Sequence, residues 1–349
     1  MTYAKSAAFC DENALLDGMA EGAARYIGNM TFAGYRDAAA RLFPFILPMI
    51  APDRVTGAAF LDYLAWMNEI SWEFEDQENG GRGVAYNLAQ RNTDNRKIGI
   101  LSLLKCFSES GTEILGPDKV ILDALAGNGT IVRFVRTEKM HAPRIISADL
   151  SSLMVEACFA QELPCIRQSA THSLLRDATL DGILIAYGSH HLDEVARKAA
   201  SAEAFRTIKN GGRLVLHDFE IGTPAADWFE KVVHPFSRTG HPHPHFTRNE
   251  MRSLLEDAGF QNVRVFGMAD PFVLKGASAA DARANALMHL CHMYDLVKID
   301  TGRGNMLDQL ESHAREIFGE IQIDRTASGY TATVPREALV AVGTKMAST

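Results

Sequence analysis

Downstream of Pro117, short apolar runs of strand length alternate with stretches of helical periodicity, and this alternation constrains the fold more than any other feature of the chain. The runs are KVILDALA, RIISADL, PCIRQSA, DGILIAYG, GRLVLHDF and QNVRVFGM, and REALVAVGTK closes the chain as a last apolar strand. Between most of them lie TIVRFVRTEK, SLMVEACFAQE, LDEVARKAASAEAFRTIKN and TRNEMRSLLEDAG, each amphipathic at helical spacing. Strands separated by helices of this length pair in parallel through right-handed crossovers, so the expected fold is an α/β, doubly wound, mostly parallel sheet. Ligands of such sheets bind at the carboxyl ends of the strands.

Two segments stand outside this rhythm. From Asp11 to about Phe107 the pattern is helical throughout, with breaks at Asn29, APDR and DQENGGRG, which predicts an N-terminal helical cap or lid of about four helices over 1–116. The α/β domain then occupies 117–349, with 270–335 as an insertion before the last strand. The 349 residues, 47% of them hydrophobic, suffice for one main domain with additions. A net charge of −8 with interspersed signs offers no basic stripe, so nucleic acid is not an expected partner. Five cysteines without a C-x-x-C pair suggest reduced thiols. The start MTYAKSAAFCDENALL has no signal-type apolar core and no run is long enough for a membrane span, so the expectation is a soluble, cytoplasmic protein without membrane partners. The apolar N-terminal helices would allow a homodimer.

The first strand runs into ILDALAGNGTIVRF. Gly127 and Gly129 follow the strand and precede a helical pattern, so the turn can bring bare backbone against a ligand, with Asp123 placed to accept hydrogen bonds. Asp149 ends the second strand, where a carboxylate can take both hydroxyls of a ribose. The fourth strand ends in the polar and aromatic turn AYGSHHLDE, facing the same crevice. A dinucleotide cofactor would need a third small residue three positions after Gly129, where Val132 stands.

In these features the chain resembles the class I S-adenosylmethionine-dependent methyltransferases over about 118–268 and 337–345. The family's acid and glycine turn are matched by Asp123, Gly127 and Gly129, its ribose acid by Asp149, its GG entry into the fifth strand by Gly211 and Gly212, and its AGF before the sixth by Ala258, Gly259 and Phe260. The resemblance implies a seven-stranded Rossmann-like sheet and S-adenosylmethionine as cofactor. It implies cofactor contacts from Asp123, Leu125, Gly127, Asn128, Gly129, Asp149, Leu150, Ser169, Ala170, Tyr187 and Gly188. There are two departures: Leu125 replaces the family's first loop glycine, and Ser169 replaces the acid that meets the adenine amine.

Methyl transfer from a sulfonium needs alignment and exclusion of water, and a general base only where the acceptor carries a proton. By family geometry Tyr187 would lie beside the sulfonium, either as a cation–π face or packed under adenine or the lid. His191 aligns with a family histidine that holds its turn, and a catalytic base is the other reading. His217 and Asp218 fall on opposite faces of a strand, and one of them is expected to border the substrate pocket; Glu220 reads as a solvated turn. In SRTGHPHPHFTRNE, His241, His243 and His245 alternate along a proline-stiffened segment. They could bind a divalent metal, but no acid nearby in sequence completes the set, so no metal is assigned. Substrate contact, with His243 as a candidate, and a plain loop entering a helix capped by Thr247 are the other readings. Trp66, Trp72 and Phe74 are either core or a roof over the crevice.

The expected function is methyl transfer to a small molecule, an amino-acid-derived or other specialised metabolite. The alternative is cyclisation of S-adenosylmethionine with release of methylthioadenosine, as in the azetidine-2-carboxylate synthases, and the third is a non-catalytic cofactor-binding partner.

Overall fold

The computed structural model describes residues 24–299 and 305–347. Its centre is a seven-stranded sheet. A short hairpin, β1 (Arg25–Ile27) and β2 (Met30–Thr31), precedes it. The sheet strands are β3 (Val120–Asp123), β4 (Arg144–Asp149), β5 (Cys165–Arg167), β6 (Leu180–Ile185), β7 (Ile208–Asp218), β8 (Gln261–Ala269) and β12 (Glu337–Thr344), in the order β5-β4-β3-β6-β7-β12-β8. Strands β3 to β7 pair in parallel, while β12 runs antiparallel to both β7 and β8. The doubly wound, mostly parallel sheet expected from the sequence is therefore present, closed by one reversed strand.

Its central strands read as continuous apolar runs because helices cover both faces, whereas the edge strand β8 is largely exposed. Ile121, Leu122, Ile146, Leu184, Val215 and Val340 are all buried in one core. Three helices between strands start where a short polar side chain satisfies an orphan amide: Ser151 accepts from Met154 N, Asp193 from Ala196 N and Thr247 from Glu250 N. Helix Thr130–Thr137 begins instead at Gly129, whose φ of 76° only glycine adopts freely.

The insertion supplies β9 (Phe272–Gly276), helices Ala279–Tyr294 and Met306–Phe318, and the hairpin β10 (Gln322–Thr326) and β11 (Gly329–Val334). Strands β9, β10 and β11 form a separate antiparallel sheet of order β10-β11-β9. No helix among the described residues is long and apolar enough to cross a membrane.

The N-terminal part departs from the continuous helical pattern. Helices occupy Phe32–Leu42, Gly57–Ile70, Gly83–Ala89 and Lys97–Lys105, but Arg25–Ile27, expected at the end of a helix, is a strand. Most of that expected helix, like Cys10, lies outside the described residues. The periodicity of 32–50 stops at Leu42 because Pro44 and Pro48 follow, leaving the 3₁₀ turn Leu47–Met49.

This part is bound to the sheet through β5, an edge strand. Tyr26 Oη donates to Arg167 O at 2.8 Å and accepts from Arg167 N at 2.9 Å, so a side chain takes the place of a neighbouring strand. Tyr35 Oη donates to Cys165 O at 2.7 Å. The buried Arg167 guanidinium spans outward to Tyr26 O, Leu150 O and Asn68 Oδ1. Tyr26→Phe strands a buried donor and a buried acceptor, and we expect it to cost about 2 kcal/mol. The check is the urea midpoint, which falls while the slope of the transition stays constant.

Candidate functional site

Between β3 and β6 the winding reverses: β4 and β5 extend one way, β6 and β7 the other. The loops leaving the carboxyl ends of β3 and β6 diverge there, which opens a crevice in any sheet of this kind. Here it is a cavity of about 770 Å³, walled by those loops, the N-terminal helices, the 239–244 loop and the insertion. Its size falls in the range of small-molecule sites.

The floor comes from the glycine turn and the end of β4. Gly127 N donates to Asp149 Oδ2 and Ser151 N to Asp149 Oδ1, both at 2.9 Å, so the turn and the carboxylate orient one another. Leu125, Gly127, Asp149, Leu150, Ser169, Tyr187 and Gly188 line the cavity. Asn128 does not. Its Oδ1 accepts from Thr130 Oγ1 and Arg133 Nη2 and holds the turn. Gly129 serves packing, since a Cβ there would lie 2.9 Å from Cys158 Sγ. Ala170 packs against the core. Gly127 also departs from expectation: a Cβ would meet the Tyr86 ring at 2.9 Å, so that space holds a side chain of the Gly83–Ala89 helix.

Asp123, expected to contact the cofactor, stands buried at the end of β3 and does not itself line the cavity. Burial, and next the neighbouring Asp149, push its carboxyl up to about 8, although Arg96 pulls the other way. Burial raises Asp149 to about 6, opposed by the amides of Ser151 and Gly127. Ser169, in place of the family's acid, donates its amide to Tyr63 Oη at 2.7 Å.

Tyr187 adopts a φ of 62°, a left-handed conformation that costs a non-glycine residue energy and aims its ring into the crevice. Its hydroxyl donates to Asp270 Oδ1 at 3.2 Å and the Arg96 guanidinium lies 3.8 Å over its ring. The packed reading of this residue thus applies to its hydroxyl and one ring face. Asp270 also pairs with Arg336 in full burial. Burial works against the ionised Asp270, but Arg336, then His217 and Arg96, outweigh it and hold the carboxyl at about 2.

Two further expectations need correction. His217 and Asp218 do lie apart, but neither lines the cavity; both are fully buried behind its wall, because the β6 turn and the insertion cover the end of β7. His217 packs its ring 4.2 Å from that of Tyr187. The histidine that holds the β6 turn is His190, whose Nδ1 lies 2.9 Å from Asp218, and not His191. His191 turns to the cavity instead, with Nδ1 3.1 Å from Glu73 Oε2.

The proline-stiffened segment comes back onto this turn. His245 reaches Asp218 at 3.4 Å, His241 packs 4.8 Å from His190 and 5.4 Å from His191, and His243 packs 4.5 Å from His191. Of the three, only His243 lines the cavity. Burial lowers His190 to about 3, and burial followed by His191 lowers His243 to about 4, so both rings are neutral at pH 7. Glu220 pairs with Arg248, as a solvated turn should.

Trp66, Trp72 and Phe74 line the cavity as a roof. Sequence reasoning missed Glu73, Arg82, Tyr86, Arg96, Tyr294 and Arg336, which also line it. Arg82 Nε holds Glu73 Oε1 at 2.8 Å, and the Glu73 carboxyl, which burial alone would raise, lies far below its usual range through His191 and Arg82.

Residues 122–216 match a family described as a methyltransferase domain. The demethylmenaquinone methyltransferase of Mycolicibacterium paratuberculosis is 33% identical over 118 residues, 34% of this chain and 48% of that protein. The enzyme of the same name from Mycobacterium tuberculosis H37Rv is 32% identical over 111 residues, 32% and 45% of the two chains. The chain thus spans about half the length of the curated relatives it matches. Phosphoethanolamine N-methyltransferase 2 of Haemonchus contortus, solved with phosphomonomethylethanolamine and S-adenosylhomocysteine, superposes at a TM-score of 0.51 over 80% of this chain and 61% of its own, at 14% identity. That likeness is one of fold.

The Asp270–Arg336 pair yields a stability prediction. Asp270→Asn leaves Arg336 buried without its counter-charge, and we expect a loss of about 3–5 kcal/mol. Replacing both residues by methionine should cost less than the single change, as read by denaturant unfolding of the three proteins.

Proposed function

We propose that the chain carries a class I S-adenosylmethionine-dependent methyltransferase domain, binds this cofactor in the cavity at the switch point and methylates a small polar acceptor. The observation that carries the reading is the cavity itself. One wall is an oriented carboxylate and a glycine turn, and the roof is aromatic side chains from outside the sheet. The residues present suit the cofactor. Asp149, fixed by two amides, lines the cavity and suits the hydroxyls of a ribose. Burial raises both Asp123 and Asp149, and Asp149 adds to the rise at Asp123, so this end of the site favours positive charge, which fits a cation carrying an ammonium and a sulfonium.

When bound, the cofactor supplies an electrophilic methyl group. The chain's own work is to orient and to exclude water. Leu125, Leu150 and Phe74 give apolar contact, and Tyr187 is locked by Asp270 and Arg96 so that its ring keeps one position. Glu73, Arg82, His191 and His243 make the other wall polar, which favours a small polar acceptor, amino-acid-derived compounds included, over a macromolecule. His191 and His243 are the imidazoles placed to take a proton from such an acceptor.

The deciding experiment is product analysis by mass spectrometry, with S-adenosylmethionine alone and then with a panel of small acceptors. S-adenosylhomocysteine formed only with an acceptor supports the reading. Methylthioadenosine from the cofactor alone overturns it in favour of cyclisation, and absence of binding by calorimetry removes the cofactor assignment. Gly127→Val should abolish binding, since the added carbons meet Tyr86 at a positive φ, whereas Leu125→Gly should retain it.

A proton should also move on binding. With a value of about 8, Asp123 holds its proton at pH 7 in the free protein, and a cation bound beside it favours the ionised form. Calorimetry in buffers of different ionisation enthalpy should show release of close to one proton at pH 7. The release should shrink as pH rises past that value, and Asp123→Asn should remove it.

A further inference from the structure

The polar wall of the cavity brings together a carboxylate and two imidazoles, a set that can do more than meet an acceptor. We propose that Glu73, His191 and His243 form a site for a divalent transition metal of the zinc type. The three come from distant segments: the 3₁₀ turn Trp72–Phe74, the turn after β6 and the 239–244 loop. One donor atom from each lies within 4.8 Å of the other two. Glu73 Oε2 is the shared centre, 3.1 Å from His191 Nδ1 and 4.0 Å from His243 Nε2. Ligands about 2.1 Å from a tetrahedral ion stand about 3.4 Å apart, so these separations straddle the required one and a small rotation of His243 completes the set.

Two imidazole nitrogens here lack the hydrogen-bond partners that polar groups withdrawn from water normally find. His191 Nδ1, though 3.1 Å from the carboxylate, makes no hydrogen bond, and neither does Nε2 of His241, a residue 95% buried at 5% exposure. His241 brings a nitrogen within 4.8 Å of those of His190 and His191, directly behind the proposed site. The neighbouring trio His190, Asp218 and His245 differs. Its atoms are spent on one another, at 2.9 Å and 3.4 Å, and serve to hold the turn and the loop.

The donor set decides the class of ion. Two imidazoles and one carboxylate suit zinc, iron, cobalt or nickel, while calcium and magnesium take oxygen ligands. A second layer is in place: Arg82 holds Glu73 Oε1 at 2.8 Å, leaving Oε2 toward the histidines. Because all three ligands line the cavity, the remaining coordination positions open into it, toward a hydroxyl, thiol or amine. That such a group is the methyl acceptor rests on the reading above; the binding of the ion does not.

The test uses the whole chain without a histidine tag, stripped with chelator and titrated with Co²⁺ alone. We expect a visible d–d band saturating at one equivalent and displaced by Zn²⁺. Glu73→Gln and His243→Ala should each weaken Co²⁺ binding by about tenfold or more and change the band. His141→Ala, at an exposed histidine elsewhere, should leave both unchanged. His191→Gln, which keeps side-chain volume, covers the case in which a smaller residue unfolds the loop, and circular dichroism checks each variant. No band at one equivalent, or variants that bind like the parent, overturns the site. Calorimetry with S-adenosylmethionine on the metal-free protein separates the two readings. Cobalt without cofactor binding keeps the metal site and removes the cofactor, and the converse removes the metal site alone.

Discussion

One buried carboxylate fixes the wall on which the rest of the site depends. Asp218, at the end of β7, accepts from Ser189 Oγ, from the amides of His190 and Phe219, and faces the rings of His190 and His245. Burial works against its charge, yet His190 and His245 outweigh it and hold the carboxyl well below the usual range. A charge taken out of water persists only when its lone pairs are fully used, and here they are used by two loops at once. The turn after β6 and the proline-stiffened segment are thereby set relative to each other. With that turn fixed, His191 has no choice but to face Glu73.

The sheet was legible because burial on both faces leaves strands as unbroken apolar runs, with helices between them at a different period. The ends of those runs also brought Gly127, Asp149 and Tyr187 to the cavity, since position along a strand determines which residue reaches the crevice, while Asp123 stays buried behind its lining. Legibility failed where tertiary contacts decide. Glu73 sits in a helical-looking stretch whose sequence says nothing of its pairing with Arg82 or its approach to His191 and His243. No acid nearby in sequence completes the histidine segment as a set of metal ligands. The acids that approach these rings are Glu73 and Asp218, one from far upstream and one from the end of β7. His190 and His191 exchanged roles because sequence alone cannot tell which of two adjacent imidazoles turns inward.

Tyr187 shows how the wall is held against strain. A left-handed tyrosine costs about 1–3 kcal/mol, and such a conformation persists only where its surroundings over-determine it. Asp270 takes the hydroxyl, Arg96 covers the ring and the His217 ring packs against it. These partners come from three separate parts of the chain, so the ring is placed by the assembled fold and not by its own turn.

The insertion can supply such partners without disturbing the sheet because of where β12 begins. Being antiparallel, β12 starts at the end where the parallel strands finish: Glu337 pairs with Ala269 and Leu339 with Asp218. The segment 270–335 therefore leaves β8 and re-enters β12 at the same edge of the sheet, on the cavity side. Asp270 and Arg336, the first and next residues outside those strands, meet as a buried pair across the base of the insertion. A parallel last strand would begin at the far edge, and a segment of any length would have to cross the sheet to reach the site. The reversed strand allows Tyr294 and Arg336 to line the cavity while the core of the sheet stays closed.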